Sequence, residues 1–502
     1  FWKYFLAPKS SSEISSFSPC IISFLSTSSS SISTEPTAAS TSETETEPDK
    51  SLVEFKAVKT ISVETTEKKK TYESNNADEC ALIVNGEKKK VSLSAPVINK
   101  TGDSSDSINT SLFGINSALL AMNTAKLYIA GGTIKTSAKG AAGVFGYAGY
   151  GNAAGITGDG TTVTISDAAI TTSGDDSAGI AATSGATFGI TNATVETGGK
   201  SSPAIRLGKD GGNVTVTKGT FTTNGTASPV IYGTGKVTVN SAVLTANSSE
   251  GVIVDDNSTV TLAETNLTAN NTVRNDDSRF RYGVLIYQQS AGYFDNSTMS
   301  VFSMSGGTLT NKAGHVFHVT NTKGVINLSS VNLVNEDKEG VILSVCPDNW
   351  SGNNNVAILN ATNTKLNGDI LVAKDGKLTL NLSTGTVFTG AVKGIVNDAD
   401  GKSVSKEPGI IHVNLGDGAS WTLTEDTYIT SFSGDMENVN LNGHTLNVSG
   451  ETREPTAAPT SKPVTAKKPT KKPTKKPTKK PTKKPTKKPT KAPTPTPVPP
   501  DA

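Results

Sequence analysis

The chain runs to 502 residues, of which 34% are apolar and 6% aromatic, thin filling for globular cores of that combined length. Its net charge of +2 hides an asymmetry: after Gly450 fifteen cations face three anions, a balance of +12, which leaves −10 on the preceding 450 residues. Three cysteines, Cys20, Cys80 and Cys346, are too few for a disulfide scaffold and fit neither zinc spacing nor a redox pair, so Cys80 and Cys346 are expected as buried thiols.

With Phe at position 1, the chain reads as a fragment or a processed product. Apolar patches at 1–6 and 20–25 fall far short of a membrane span, and 26–50 is mostly Ser, Thr, Glu and Pro with almost nothing to bury. Residues 1–50 are therefore expected as a disordered lead or the remnant of a secretion signal. Residues 51–79 alternate weakly around Val53, Phe55 and Val58, and are expected to cap the fold that follows.

From 80 to 450 a repeat takes over, clearest between 155 and 268. Each unit opens on an aliphatic pair: Gly155-Ile156, Gly179-Ile180, Ala204-Ile205, Val230-Ile231, Val252-Ile253. A short alternating run follows, such as Val214-Thr215-Val216 or Val260-Thr261-Leu262, and then a third apolar anchor. Those anchors, Ile170, Val195, Phe221, Leu244 and Leu267, recur at steps of 25, 26, 23 and 23 residues. Only short β-branched runs separated by Gly, Asn, Asp or Ser lie between them, with no stretch long enough for the helix of a helical repeat. The expectation is an all-β parallel β-helix whose coils stack their anchors inward. Insertions are expected at 146–155, 271–282 and 346–355, and the whole provides about fifteen coils, a rod of roughly 70 Å.

Residues 451–502 are low in complexity, with KKPT six times between 467 and 490. Proline at every fourth position forbids helix and sheet and favours extended polyproline II. Lys467, Lys468, Lys471, Lys472, Lys475 and Lys476 begin a cationic stalk able to hold a polyanion by charge.

Four pieces carry a family likeness: "LYIAGGTIKTSAKGAAGVFGY", the coil opening Val230-Ile231-Tyr232-Gly233, "FSMSGGTLTNKAGHVFHVTNTKG", and the closing "ASWTLTEDTYITSF…VNLNGHTLNVSG". Through them, residues 80–450 resemble right-handed parallel β-helix proteins of the pectin-lyase-like superfamily, in particular its adhesin-like surface members. The tail resembles the Pro-Thr stalks of algal, especially diatom, surface proteins. Together these likenesses imply an extracellular, wall-associated protein.

Lyases and hydrolases on that fold cluster acidic residues on one face, with an Arg or Lys as base or clamp. Asp175-Asp176 and Asp255-Asp256 are the nearest approach here, and they read as turn residues bonding backbone amides. Arg206 suits a uronate clamp or a solvated strand position. His315 and His318, three apart on a strand, are expected to point to opposite faces and to make no metal pair. No nucleophile and base are seen together, and neither a cofactor nor a metal site is expected. Tyr147, Tyr150, Tyr287 and Trp350 fall on or beside insertions, where rings can stack on sugars or pack locally. Thr162, Thr164, Thr215, Thr217, Thr238 and Thr261 suggest an ice-binding ladder, broken at Gly189 and Asn240. Fifteen sequons, Asn99, Asn109, Asn192, Asn213, Asn224, Asn247, Asn257, Asn266, Asn270, Asn296, Asn327, Asn349, Asn360, Asn381 and Asn447, would lie mostly on exposed turns.

The sequence therefore points to a secreted, non-catalytic structural or adhesive solenoid. It would bind anionic or neutral wall polysaccharide or assemble with copies of itself into fibres, and neither nucleic acid nor a transmembrane segment is expected. A polysaccharide lyase or glycoside hydrolase is the first alternative, and an ice-binding protein the second.

Overall fold

The structure, a computed structural model, describes residues 53–149, 158–274, 278–289, 299–350, 354–449 and 451–453. The lead at 1–50, Cys20, Tyr150, Asn296 and the KKPT stalk lie outside the described residues.

The chain forms a parallel β-helix. Three short strands make each coil: Ile231–Gly233, Lys236–Asn240 and Val243–Ala246 are followed by Val252–Asp255, Thr259–Ala263 and Asn266–Ala269. Each strand pairs in parallel with its equivalent one coil on, Val237 opposite Val260 and Leu244 opposite Leu267. Stacking these pairs produces three faces. The first is a thirteen-stranded sheet, and the second and third share a 22-stranded sheet because strands such as Gly212–Thr223 run through the corner between them. Thirteen strands on the first face are fewer than the fifteen coils expected, because insertions take up the difference in chain length.

The predicted anchors make the core. Ile98, Ile134, Ile170, Val195, Phe221, Leu244, Leu267 and Leu309 stand in register on the third face, and all are buried. Each aliphatic side chain covers the next, so a chain poor in apolar residues still closes a dry interior.

One residue in the left-handed region turns the chain between the second and third faces. Lys69, Ala95, Gly131, Asp167, Asn192, Lys218, Ser241, Glu264, Gly306, Ser330 and Asn363 hold this corner with φ between +46° and +66°. Gly, Asn and Asp accept that conformation readily, whereas Ala95, Lys218 and Glu264 adopt it at a cost of about 1 kcal/mol each. The stacked amides offset this, Lys69 N donating to Ser94 O at 2.8 Å and Ala95 N to Ala130 O at 2.7 Å.

Two boundaries differ from expectation. Residues 56–74, expected within a cap, form a complete coil of Lys56–Ile61, Thr65–Lys68 and Thr71–Ser74 paired with the next. Three of its core positions turn polar, with Lys59, Thr65 and Glu67 where the following coil has Leu82, Val91 and Leu93, while Ile61 and Tyr72 stay buried in register with Val84 and Ile98. The coil thus ends the apolar column, and burying Lys59 and Glu67 against a second copy would be costly. The second difference is register: the counterpart of Ile180 is Val144, not Ile156. Gly143-Val144 obeys the same opening rule, so Val144–Tyr147 is the strand and the extra residues come after it.

Candidate functional site

Aromatic and ionisable side chains gather on the outer surface of the first face. Arg206, Tyr232, Ile253, Leu285, His318 and Ser344 stand in one outward column on successive coils. Insertions fold over this column and make a second apolar layer outside the core. At one end, helix Ser107–Phe113, capped by Asp106 and Gly114, brings Phe113 against Phe145 and Tyr147. At the other, residues 278–281 and 346–350 bring Phe280, Cys346 and Trp350 over Tyr282, Leu285 and Tyr287. Arg279–Asp398 at 3.1 Å ties the first of these segments to the hairpin Ile395–Asn397 and Ser403–Lys406, and Arg274, four residues before it, pairs with Asp400 of the same hairpin at 2.9 Å.

Of the two readings for the aromatic rings, stacking on sugars or packing locally, Tyr147 and Tyr287 take the second. Tyr147 is 2% exposed, edge-on to Phe113 at 5.2 Å, and Tyr287 is 1% exposed with Trp350 at 4.7 Å, so neither ring is open to a sugar. Apolar insertions found these rings a drier partner than solvent. Trp350 itself is half-buried. Arg206 is no solvated strand residue: Nη1 and Nη2 donate to Ser111 Oγ and O, both at 3.1 Å, and the guanidinium lies 5.8 Å from the Phe145 ring. It holds the helix onto the face. Cys80 and Cys346 are free and buried.

The acidic pairs also separate. Asp175 accepts Lys200 N at 2.8 Å in a turn, as expected of it. Asp255, by contrast, is 3% exposed and accepts Tyr232 Oη–H at 2.6 Å and Gln289 N at 3.2 Å. Burial drives its carboxyl up to about 7, against the Tyr232 bond, which favours the charge. Asp256 beside it is exposed in a left-handed turn. An acid keeping its proton to near neutrality beside a half-buried phenol is what general-acid chemistry requires.

His315 and His318 do not diverge. Both Nδ1 atoms sit 2.7 Å from Ser344 Oγ on the neighbouring strand, and His318 Nε2 sits 3.2 Å from Asp348 Oδ2. His315 opens the strand His315–Thr320, where strict alternation does not yet bind it. Asp348 is held below the ordinary carboxylate range: burial opposes the charge, and bonds from His318, Ser278 and Arg279 N outweigh it. With Asp348 charged, the donors assign themselves. His318 Nε2–H donates to Asp348, His318 Nδ1 accepts from Ser344 Oγ–H, and Ser344 Oγ accepts His315 Nδ1–H. Burial, then His318 and Arg281, push His315 down to about 3, which keeps it neutral. A hydroxyl, a base and a carboxylate are therefore together, but the Ser344 and His318 side chains are fully buried, and the group's evident work is to pin residues 346–350 to the face. Ser344→Ala should strand two buried imidazole nitrogens and cost about 1–3 kcal/mol in urea unfolding; an unchanged midpoint would refute the assignment.

The other two faces present ladders rather than clusters. On the second face Thr215, Thr238, Thr261, Ser303, Asn327, Asn360, Asn381 and Asn414 form one outward column. Asn360 donates to Asn327 at 2.8 Å, Asn381 to Asn360 at 2.7 Å and Asn414 to Asn381 at 2.7 Å. Sequence reading missed this ladder, although an Asn directly after a core residue, as in Ile326-Asn327, Leu359-Asn360, Leu380-Asn381 and Val413-Asn414, signalled it. It also missed an unbroken threonine column on the third face, Thr222, Thr245, Thr268 and Thr310, while Gly189 does interrupt the predicted one between Thr164 and Thr215. The sequons divide accordingly. Asn327, Asn360 and Asn381 lie on strands, not turns, and Asn224 and Asn247 form a second, corner ladder with Asn270. Asn99, Asn109 and Asn192 donate to Glu73, Asp106 and Asp167. Asn213, Asn257, Asn266 and Asn349 are exposed, and Asn447 lies in the strand Leu446–Val448.

Among the described residues no three His, Cys, Asp or Glu side chains are placed to hold a metal, and no helix is long and apolar enough to cross a membrane. No protein-family model, curated protein or solved structure matches the chain.

Proposed function

We propose that this chain is an adhesive or structural β-solenoid of the cell surface or extracellular matrix, holding wall polysaccharide on its outer walls in the manner of adhesin-like β-helices. The observation that carries this reading is the Asn327–Asn360–Asn381–Asn414 ladder. Each internal amide spends one N–H and one lone pair on its neighbours and keeps one of each for a ligand. The array repeats at roughly 4.8 Å, close to the length of one sugar in an extended chain, and it is already ordered, so binding loses little side-chain entropy. The KKPT segment adds cationic charge for anionic polymer. Co-sedimentation with insoluble wall glucans and chitin tests the reading. Retention should fall about tenfold in the Asn360→Ala, Asn381→Ala double variant; a wild-type chain that stays in the supernatant with every polymer would end it.

A second reading, a pectin-lyase-like lyase or hydrolase, is supported by the proton that Asp255 retains beside Tyr232. Cleavage of a uronate polymer, with or without calcium, that disappears in Asp255→Asn would replace the adhesive reading. The Thr222–Thr245–Thr268–Thr310 column supports ice as another extended ligand, and an absence of thermal hysteresis would remove it.

A further inference from the structure

The second face bears one surface that the ladders do not explain. Lys88, Lys89 and Lys90 lead onto its second strand, Lys90–Ser94, and Lys126 stands in register with Lys90 on the next coil. At the opposite corner, Lys68 ends the strand Thr65–Lys68 and Lys69 and Lys70 follow it. Six of these lysines are exposed and Lys126 is half-buried, its Nζ donating to Gly160 O at 2.7 Å. Lys56, Lys374 and Lys393 each have a carboxylate partner, whereas none of the seven has one within 4.0 Å among the described residues. Glu87 and Glu64 are the exposed acids beside them in sequence, and Glu67 is turned into the core column of the end coil.

Like charges directly opposite on paired strands repel, so Lys90 beside Lys126 weakens the sheet where it stands. The acids of this region, Glu64, Glu87 and Asp159, the last accepting Thr124 N at 3.2 Å, leave all seven lysines without an ion pair among the described residues. Between the two corners lie Ser92 and, in register with it, Tyr128, which is 40% exposed with Lys90 Nζ 4.9 Å from its ring centre. The strand between the corners spans about 16 Å, room for a few sugar residues.

We infer that the second face of the first three coils is a binding surface for an anionic polysaccharide, uronate or sulfated, which runs along the strands from one lysine corner to the other with a sugar ring on Tyr128. This rests on the reading of the protein as a polysaccharide binder, and moves the anionic contact from the tail to the folded body.

The test uses the full chain with the tail lysines from Lys467 to Lys491 replaced by Gln, in affinity electrophoresis through polygalacturonate and through a sulfated galactan at rising salt. This parent should bind, and adding Lys68→Gln, Lys69→Gln, Lys70→Gln, Lys88→Gln, Lys89→Gln and Lys90→Gln should weaken binding about tenfold or more and flatten its salt dependence. Tyr128→Ala should weaken binding without changing the salt dependence. The unfolding temperature should not fall, since the altered lysines are exposed. Equal binding by parent and lysine variant, no binding by the parent, or tighter binding of duplex DNA than of both polysaccharides would each overturn the inference. Retention on neutral wall glucan, measured alongside, is expected to be the same with and without the lysines. Its loss in every protein would count against the general polysaccharide reading, and its survival when polyanion binding fails would overturn only this surface.

Discussion

Gly225→Ala is expected to cost about 3 kcal/mol or more and to leave little folded protein. A Cβ there would stand 1.8 Å from Gly199 O, and one at Gly199 would stand 2.0 Å from Gly174 O. These are backbone oxygens in stacked corners, with no flexible side chain to give way. The same corners carry a serine ladder in which Ser177 N donates to Ser202 Oγ and Ser202 N to Ser228 Oγ, both at 2.9 Å. Gly-x-x-Ser thus recurs at 174–177, 199–202 and 225–228 because each glycine admits the coil below and each serine fastens it. Gly189→Ala supplies the control. Its Cβ would meet nothing within 4 Å, so it should stabilise by about 0.5–1 kcal/mol through the unfolded chain. Thermal unfolding followed by circular dichroism reads both, and a Gly225→Ala protein as stable as wild type would contradict the stacking described.

Asp255→Asn is expected to raise stability at pH 8 and leave it little changed at pH 4. The carboxyl's folded value of about 7 lies above the unfolded value of about 3.9, so between them the folded state binds more protons. Its contribution is full below the unfolded value and is lost as pH rises through the folded one. A gap of that size corresponds to about 4 kcal/mol for this 3% exposed group. Asparagine keeps an acceptor for Tyr232 and cannot ionise, so the alkaline loss should vanish. His315 acts in the opposite sense: its folded value of about 3 lies below the ordinary 6.5, so stability present above 6.5 falls as pH drops toward 3. Between about pH 4 and 6.5 the two slopes oppose and nearly cancel, so urea unfolding should show wild-type stability almost level there, whereas Asp255→Asn, with only the His315 slope left, should gain stability steadily over the same range. A variant that keeps the wild-type pH profile would mean that Asp255 is already charged in the folded protein.

Much of the fold was legible because it depends on neighbours in sequence. Alternation of Val, Ile and Thr sets which side of a strand is dry, and anchors two dozen residues apart must then meet. Those anchors did meet, Val195 opposite Phe221 and Phe221 opposite Leu244. Register failed at Ile156, where a Gly-Ile pair imitated a coil opening that belongs to Gly143-Val144. The site was less legible. Residue type left Tyr287 either stacking on a sugar or packing locally, and Arg206 either clamping a uronate or standing in solvent; both are covered by segments distant along the chain, which no local pattern announces.

The sequence by itself determined the coil, its length and the side of each strand that faces the core, because these follow from local alternation and repetition. Only the tertiary structure decided that insertions roof the first face, that His315 and His318 converge on Ser344, and that Asp255 holds its proton. Those outcomes depend on which distant surface an insertion buries, and burial, rather than residue type, sets whether a ring is open, a charge is paired or a carboxyl ionises.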